Sequence, residues 1–282
     1  MRTTKHVWFV KRYTSLFQLE KQLKLCRVLK EAGFSQVISF HPASPVRLEK
    51  QVFAILPFVQ PAKKMFSFQT RMEREEALQL LASFHRQTEC VFKSVSAEFP
   101  VFDQLSVWHK RLADFQQVFP ELSRYFPPSI LQRYAEMGAW CLNGLLVRPQ
   151  KEEKNAIIHG DVAAHNFLRS ADGVLYLIDF DLAARAPAMT DYVQWVNRVL
   201  PLVDWDLEEI MKHRVVSNYT HKKNWLLYVL FPSDIFRECQ RVIHMNAFGK
   251  NPIYEHAYDL AVKSFAQREH FFRKWKKEWE KQ

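Results

Sequence analysis

A strand-like pattern followed by a helix-like pattern occupies the start of the chain. In "HVWFVKRY" apolar positions alternate, which predicts a strand with Val7, Phe9 and Lys11 on one face. Helical spacing of apolar residues follows, from Ser15, a typical capping residue, to Gly33, a typical terminating residue. The chain is therefore expected to begin with one strand and one helix.

Two more apolar runs predict two more strands. They are "SQVISFHPA" and "KQVFAILPFVQP", and the second is stopped by Pro57 and Pro61 because proline cannot donate a backbone hydrogen bond to a sheet. Together with the preceding strand and helix, these strands define a small N-terminal lobe that is expected to span residues 1–62.

Beyond residue 62 the pattern is mostly helical. "RMEREEALQLLASFHRQT" has apolar positions at helical spacing, and later helices are separated by proline-rich breaks. The exception is a hairpin in which "NFLRS" and "VLYLIDF" flank the turn "ADG". Residues 63–282 are expected to form a large helical lobe that carries this hairpin.

Composition narrows the class of protein. Of the 282 residues 48% are hydrophobic and 25% are charged, which is typical of a soluble globular protein. No apolar run is long enough for a transmembrane segment, and the N-terminus lacks the apolar core of a signal peptide. Four scattered cysteines predict reduced thiols in a cytoplasmic protein. The net charge of +10 permits an anionic partner such as a nucleotide. Nucleic acid is not expected as a partner. The sequence leaves the oligomeric state open.

The stretch "IIHGDVAAHNFLRSADGVLYLIDFD" concentrates four carboxylates, two histidines and an asparagine between apolar runs. It is compatible with a metal site, or with a catalytic loop followed by a strand that delivers a metal-binding aspartate. Asp161 is followed five positions later by Asn166, and Asp179 lies thirteen beyond that. Phosphoryl transfer needs one carboxylate to accept the proton of the attacking hydroxyl, and an asparagine and a second carboxylate to hold Mg²⁺ against the phosphates. The spacings resemble those of the catalytic-loop aspartate, the metal-binding asparagine and the metal-binding aspartate in kinase-like phosphotransferases, which favours the second explanation.

These motifs resemble those of a known family. "HGDVAAHN" together with "LIDFD" is similar to the aminoglycoside phosphotransferase and choline kinase family, in which "HGD" replaces the "HRD" of protein kinases. The closest likeness is to kinase-like, spore-coat-associated proteins of spore-forming bacteria. The resemblance implies an α+β, two-lobed protein-kinase-like fold with a reduced N-terminal lobe and a large, mostly helical C-terminal lobe. It covers most of the chain from Lys11 to about Leu202.

The resemblance also implies a reaction and its cofactors. The γ-phosphoryl group of ATP would be moved to a hydroxyl of a small molecule, with Mg²⁺ as the metal. Asp161 would be the base, and Asn166 and Asp179 the metal ligands.

Further positions receive roles from the same resemblance. In "FVKRY", Lys11 would anchor the phosphates, and Glu20 on the following helix would be its carboxylate partner. Backbone groups from Leu56 to Val59 would contact adenine. In "TDYVQW", Asp191 would brace the catalytic loop.

Other interpretations of the polar stretch remain. A metal hydrolase would use His159, Asp161 and His165 as ligands, but this leaves Asn166 unused and gives Asp179 no reason for its spacing. Under the kinase-like interpretation His159 orients the loop by hydrogen bonds. His165 is then a structural or substrate-side group.

Several departures keep a pseudokinase, a binding or scaffold module without catalysis, as the alternative function. None of the six glycines precedes Gly33, so the ten residues before Lys11 cannot build a glycine-rich phosphate hairpin. Gln22 competes with Glu20 as the helix partner of the lysine. Phe9 could stack on a base or fill the pocket. The intact Asp–Asn–Asp set nevertheless favours the enzyme.

The remaining candidates have structural explanations. His85 is expected to be a hydrogen-bonded helix histidine. Asp206 and Glu209 predict a capping box. The basic, aromatic C-terminus predicts a helix that packs on the large lobe, with a membrane-surface or partner role as the alternative. Because 40 basic residues face 30 acidic ones, the acceptor is expected to be neutral or anionic rather than a polycationic aminoglycoside.

Overall fold

The computed structural model describes residues 6–147, 154–222 and 224–281. Its strands are β1 Trp8–Tyr13, β2 Val46–Leu48, β3 Gln51–Pro57, β4 Asn155–Ile158, β5 Phe167–Arg169, β6 Leu175–Leu177 and β7 Ala184–Pro187. Its α-helices are α1 Leu16–Glu31, α2 Arg71–Cys90, α3 Phe92–Val95, α4 Gln104–Gln117, α5 Phe119–Leu122, α6 Pro128–Val147, α7 Met189–Val199, α8 Leu207–Met211, α9 Arg214–Thr220, α10 Trp225–Leu230, α11 Ser233–His244, α12 Pro252–Tyr258 and α13 Phe265–Glu280.

The described residues form two compact units. The first takes in residues 6–102 and 154–202, and the second residues 103–147 and 203–281. Helices dominate and the strands are short, so the expected α+β class is confirmed. The lobe boundary placed after residue 62 from the sequence stays a prediction.

An antiparallel sheet in the order β1-β3-β2 opens the first unit. Lys11 pairs with Ala54, and Phe9 pairs with Leu56 two positions along the ladder. Since side chains alternate along a strand, Lys11 and Phe9 share a face of the sheet, as predicted. Helix α1 follows directly, and its N-cap residue Ser15 accepts a hydrogen bond from the backbone of Gln18.

The strand predicted in "SQVISFHPA" does not form. Residues 35–43 carry no regular element, although the backbone N–H of His41 still donates to the carbonyl of Ile55 over 2.8 Å. The hydroxyl of Ser44 donates to the carbonyl of Ile55 and accepts from its backbone N–H. A side-chain hydroxyl therefore takes the place of the backbone groups of a neighbouring strand. Ile38 and Phe40 then line a pocket instead of a regular sheet face.

The rest of the first unit contains two strand pairs and the helices α2 and α7. β4 pairs antiparallel with β7, and β5 pairs with β6 across the turn at residues 171–173, which confirms the predicted hairpin. Thr70 and Glu73 form a capping box at the start of α2. Phe84 of α2 and Trp195 of α7 are fully buried and anchor the two helices in the core.

Helices alone build the described part of the second unit. The rings of Phe272 and Trp279 on α13 lie 5.4 and 5.2 Å from that of Trp140 on α6. The predicted packing of the C-terminal helix is therefore confirmed. Asp206 caps α8 by accepting from the backbone of Glu209, which is the Asp206 half of the predicted capping box. Within the three described segments, no helix has both the length and the apolar character that a membrane crossing requires.

Candidate active site

The catalytic loop and the hairpin bring Asp161 and Asn166 together. The loop follows β4, makes a 3₁₀ turn at Ala164–Asn166 and continues into β5. The amide nitrogen of Asn166 donates to the backbone oxygen of Asp161 over 2.8 Å and to its Oδ2 over 3.2 Å. The carbonyl of Asn166 accepts from the backbone of Ile178, the residue before Asp179, over 3.0 Å. This contact joins the two arms of the hairpin immediately before the predicted metal ligand.

A buried aspartate on α7 holds the loop from behind. The carboxylate of Asp191 accepts from the backbone of His159 over 2.7 Å and of Gly160 over 3.0 Å. The imidazole of His85 contacts the same carboxylate over 2.8 Å, and its other nitrogen meets the hydroxyl of Tyr192 over 3.0 Å. Burial by itself raises the pKa of Asp191, but these hydrogen bonds and the nearby imidazoles outweigh it and lower the pKa. Both expectations, Asp191 as a brace and His85 as a hydrogen-bonded helix residue, are confirmed.

Glycine is the residue type that this loop requires at position 160. Its φ of +80° lies in the left-handed region. A Cβ built there would also collide with the carbonyl oxygen of Leu182. The middle residue of "HGD" is therefore dictated by the close approach of the segment that follows β6.

His159 lies between the two arms and orients the loop, as expected. Its Nε2 is 2.9 Å from the carbonyl oxygen of Ile178, and its Nδ1 is 3.3 Å from the backbone N–H of Asp161. A neutral imidazole protonated on Nε2 satisfies both contacts, since a carbonyl can only accept and an N–H can only donate. Burial is the largest influence on this residue and lowers the pKa of its imidazole.

We expect acidification to destabilise the protein through His159. Below about pH 6.5 the unfolded chain binds a proton that the buried imidazole does not, so the free energy of unfolding falls from there down to the lowered pKa. Urea unfolding between about pH 5 and pH 8 measures this slope, which cannot exceed about 1.4 kcal/mol per pH unit for one proton. His159→Gln should flatten it, while the exposed His165→Gln on the same loop should not. Equal slopes in wild type and His159→Gln would contradict the assignment.

One face of α7 supplies three contacts to the loop. Asp191, Gln194 and Arg198 follow each other at spacings of three and four, which places them on one side of a helix. The side chain of Gln194 accepts from the backbone of Val162 over 3.2 Å, and a guanidinium N–H of Arg198 donates to Oδ1 of Asp161 over 2.6 Å. Sequence reasoning missed Arg198, although its position two turns after Asp191 was a usable signal.

Lys11 reaches two carboxylates, neither of which is on the helix. Its Nζ lies 2.8 Å from Oδ1 of Asp179 and 3.0 Å from Oδ2 of Asp181. Burial raises the pKa of Asp179, but the hydrogen bond and charge of Lys11 outweigh it, so the pKa is lowered. Asp179 adopts a φ of 65°, which directs the chain sharply after β6. Asp181 was not among the predicted site residues, although its place two positions after Asp179 in "IDFD" was visible.

The expected partnership of Lys11 with Glu20 does not form. Glu20 is exposed on α1, and the ion pairs of Lys11 within the described residues go to the two aspartates. Of the two candidates on this helix, Gln22 is the buried one, and its amide nitrogen donates to Oδ1 of Asp181 over 2.5 Å. The helix therefore contributes an amide to the site where a carboxylate was expected.

An apolar pocket adjoins the Lys11 ion pairs. It has a volume of about 410 Å³, within the usual range for small-molecule sites. Lys11 and Asp179 line it together with the apolar residues Phe9, Phe40, Leu56, Val59, Leu168 and Phe180. Leu56 and Val59, which were predicted to contact adenine, thus border the same cavity as Lys11, the predicted phosphate anchor. Phe9 remains about half exposed at its edge.

A metal-hydrolase cluster is not supported by the described residues. They contain no group of three or more histidine, cysteine, aspartate or glutamate side chains placed to hold a metal ion. His159 is engaged by Ile178, and His165 is exposed. The side chains of Asn166 and Asp179 carry oxygen atoms, the donor type that a hard cation such as Mg²⁺ prefers.

Residues 2–208 match the sequence model of the phosphotransferase enzyme family, so the chain belongs to that family. A comparison with the curated proteins gives no match.

Solved structures agree at the level of fold. An aminoglycoside phosphotransferase from Alicyclobacillus acidocaldarius is 18% identical, with a TM-score of 0.70 and coverage of 98% of this chain and 87% of that chain. A spectinomycin phosphotransferase in complex with ADP and spectinomycin is 15% identical, with a TM-score of 0.63 and coverage of 92% and 87%. A choline kinase from Streptococcus pneumoniae is 15% identical, with a TM-score of 0.58 and coverage of 94% and 88%. These likenesses confirm the predicted kinase-like fold.

Proposed function

We propose that this protein transfers the γ-phosphoryl group of ATP, bound with Mg²⁺, to a hydroxyl group of a small molecule. Asp161 accepts the proton of the hydroxyl, Asn166 and Asp179 hold the metal ion, and Lys11 contacts the phosphates. The apolar pocket beside Leu56 and Val59 takes the adenine ring. ADP in the complex of the related spectinomycin phosphotransferase supports a nucleotide as the donor.

One observation carries the proposal: four predicted functional groups converge within one compact unit. Asn166 contacts Asp161 over 3.2 Å, and Lys11 contacts Asp179 over 2.8 Å at the rim of the pocket. Phosphoryl transfer depends mainly on positioning and on electrostatic stabilisation, and this arrangement supports the roles proposed for a base, two oxygen ligands and a cation. The convergence and the family membership favour the enzyme over the pseudokinase alternative.

The proton of the acceptor hydroxyl would pass to the carboxylate of Asp161. Oδ1 of Asp161 accepts a hydrogen bond from Arg198, and Oδ2 accepts one from the amide nitrogen of Asn166. These two bonds hold the carboxylate in one orientation. A carboxylate accepts several hydrogen bonds at once, so an incoming hydroxyl can still donate to it. The metal ion, when bound by Asn166 and Asp179, would offset the negative charge of the phosphates.

We propose a neutral or anionic acceptor for the same reaction. The chain has an excess of basic residues, and Asp206 in its densest acidic segment is occupied in capping α8. Arg198 adds positive charge directly beside the base, where the acceptor hydroxyl must bind. A polycationic acceptor would meet this guanidinium at close range, which is unfavourable in a partly buried site. ATP as donor and the four free cysteines fit a cytoplasmic location.

Purified protein should release ADP in the presence of Mg²⁺-ATP and a suitable acceptor. A coupled assay across sugars, phosphorylated sugars, amino alcohols, nucleosides and aminoglycosides measures this turnover. We expect saturable activity with a neutral or anionic hydroxyl compound, and a higher melting temperature with Mg²⁺-ATP, because ligands of the folded state stabilise it. Efficient turnover of kanamycin-like compounds would contradict the acceptor class. No turnover together with no nucleotide-dependent thermal shift would refute the proposed function and favour the pseudokinase.

A further inference from the structure

Asp181 is placed more firmly than a surface carboxylate normally is. Its Oδ1 accepts from Gln22 over 2.5 Å and its Oδ2 contacts Lys11 over 3.0 Å. Its carbonyl accepts from the ammonium group of Lys21 over 3.2 Å, so the backbone at this position is held as well. Gln22 is itself buried, and its other amide atom, Oε1, accepts from the hydroxyl of Tyr13 over 3.3 Å. Both oxygens of Asp181 therefore have a defined partner on the N-terminal elements.

Lys11 sits at the centre of this arrangement. Its side chain is only 23% exposed, and its ammonium group lies 4.9 Å from the ring centroid of Tyr13. Asp181 is 31% exposed and Asp179 is 43% exposed. Of its two carboxylate partners, Asp181 is the more enclosed and the one tied to α1.

The two carboxylates cannot serve Lys11 in the same way if the proposed function holds. Asp179 would then be a metal ligand, and its contact with Lys11 takes up Oδ1, one of the two oxygen atoms that it can offer the metal ion. A lysine held only by Asp179 would lose its partner on metal binding. Asp181 has no such second duty, so its contact with Lys11 can persist.

We propose that Asp181, aligned by Gln22, is the lasting carboxylate partner that positions Lys11 for the phosphates, in place of an acidic residue on α1. This inference rests on the proposed function for the phosphates and for the metal ion on Asp179, whereas the pairing of Asp181 with Lys11 and Gln22 involves no ligand. The amide of Gln22 fits the role because it donates to Asp181, whereas a glutamate at the same place would repel it. Position 22 and position 181 thus form an interdependent pair of one amide and one carboxylate.

Exchanging the members of this pair tests the proposal. Asp181→Asn should weaken binding of Mg²⁺-AMP-PNP about tenfold, the effect of losing one charge-assisted hydrogen bond. Gln22→Glu alone should also weaken it, because two carboxylates would meet at hydrogen-bonding distance. Combined, the two changes restore one amide and one carboxylate, so the dissociation constant should fall below that of Asp181→Asn. It should not reach the wild-type value, because Lys11 then meets an amide oxygen at position 181 instead of a carboxylate. Gln18→Glu, one turn earlier on α1, is the matched control and should not rescue Asp181→Asn.

A second readout needs no nucleotide. In urea unfolding of the free protein, Gln22→Glu should lower the stability of wild type and raise that of Asp181→Asn. In a Lys11→Met background, Asp181→Asn should lose most of its effect, because the partner charge is gone. If Asp181 stabilised the protein only through its hydrogen bond with Gln22, Asp181→Asn would lower the stability equally with and without Lys11.

Each outcome decides a different claim. If Gln22→Glu has the same effect with and without Asp181, in unfolding and in binding, the positioning role is refuted. If the unfolding cycle shows the reversal but wild type binds no Mg²⁺-AMP-PNP, the pairing stands and the proposed function fails. Reversal in both measurements supports the full proposal.

Discussion

Asp161→Asn is expected to lower kcat for phosphoryl transfer by about 10²- to 10⁴-fold, the usual contribution of a positioned general base. An amide cannot take the proton of the acceptor hydroxyl. It can still accept from Arg198, and the contact of Asn166 with the backbone oxygen at position 161 is unaffected. The loop should therefore keep its shape, and nucleotide affinity should stay within about threefold of wild type, because the lost interaction belongs to the transition state.

Steady-state kinetics and calorimetry with ADP separate these two effects. Asp114→Asn is a matched control, since Asp114 forms an exposed ion pair with Lys110 one turn away on α4. It should leave kcat and nucleotide affinity unchanged. An Asp161→Asn variant with wild-type kcat would remove Asp161 as the base. A variant that lost nucleotide binding and kcat together would instead assign the residue to ground-state binding.

Asp179→Asn is expected to abolish the dependence of nucleotide binding on Mg²⁺. In wild type, Mg²⁺ and nucleotide should each tighten the binding of the other, because Asp179 and Asn166 would hold an ion that also contacts the phosphates. Replacing the carboxylate by an amide removes the charge that attracts the ion. The variant should bind ADP with an affinity that Mg²⁺ changes by less than about twofold, against about tenfold or more in wild type.

Calorimetric titration of ADP with Mg²⁺ and with EDTA measures the coupling directly. The fold should be retained, because Lys11 keeps its ion pair with Asp181 and the hairpin contact between Asn166 and Ile178 is a backbone one. Circular dichroism and the thermal midpoint check this. Asp114→Asn again serves as the control and should preserve the coupling. Unchanged Mg²⁺-dependent binding in Asp179→Asn would exclude Asp179 as the metal ligand.

Local sequence patterns determined the elements that carry the site. Alternation predicted β1, a capping serine predicted the start of α1, and the turn "ADG" predicted the hairpin of β5 and β6. The meeting of Asp161 and Asn166 was also local, since they are five residues apart on one loop and hydrogen-bond to each other. Such features depend on neighbours along the chain, which a sequence displays directly.

Contacts between distant segments were decided only by the tertiary structure. Whether Glu20 or Gln22 faces Lys11 depends on the rotation of α1 against the sheet, and a helix with apolar residues on one broad stripe permits either. Arg198 meets Asp161 across 37 residues, and Gln22 meets Asp181 across 159. The segment at 35–43 has the pattern of a strand, yet the hydroxyl of Ser44 takes the hydrogen bonds of Ile55 that a strand would need. In each case the residue types were visible in the sequence, but the choice of partner was made by packing, because a periodic pattern specifies which face is buried and not what lies against it.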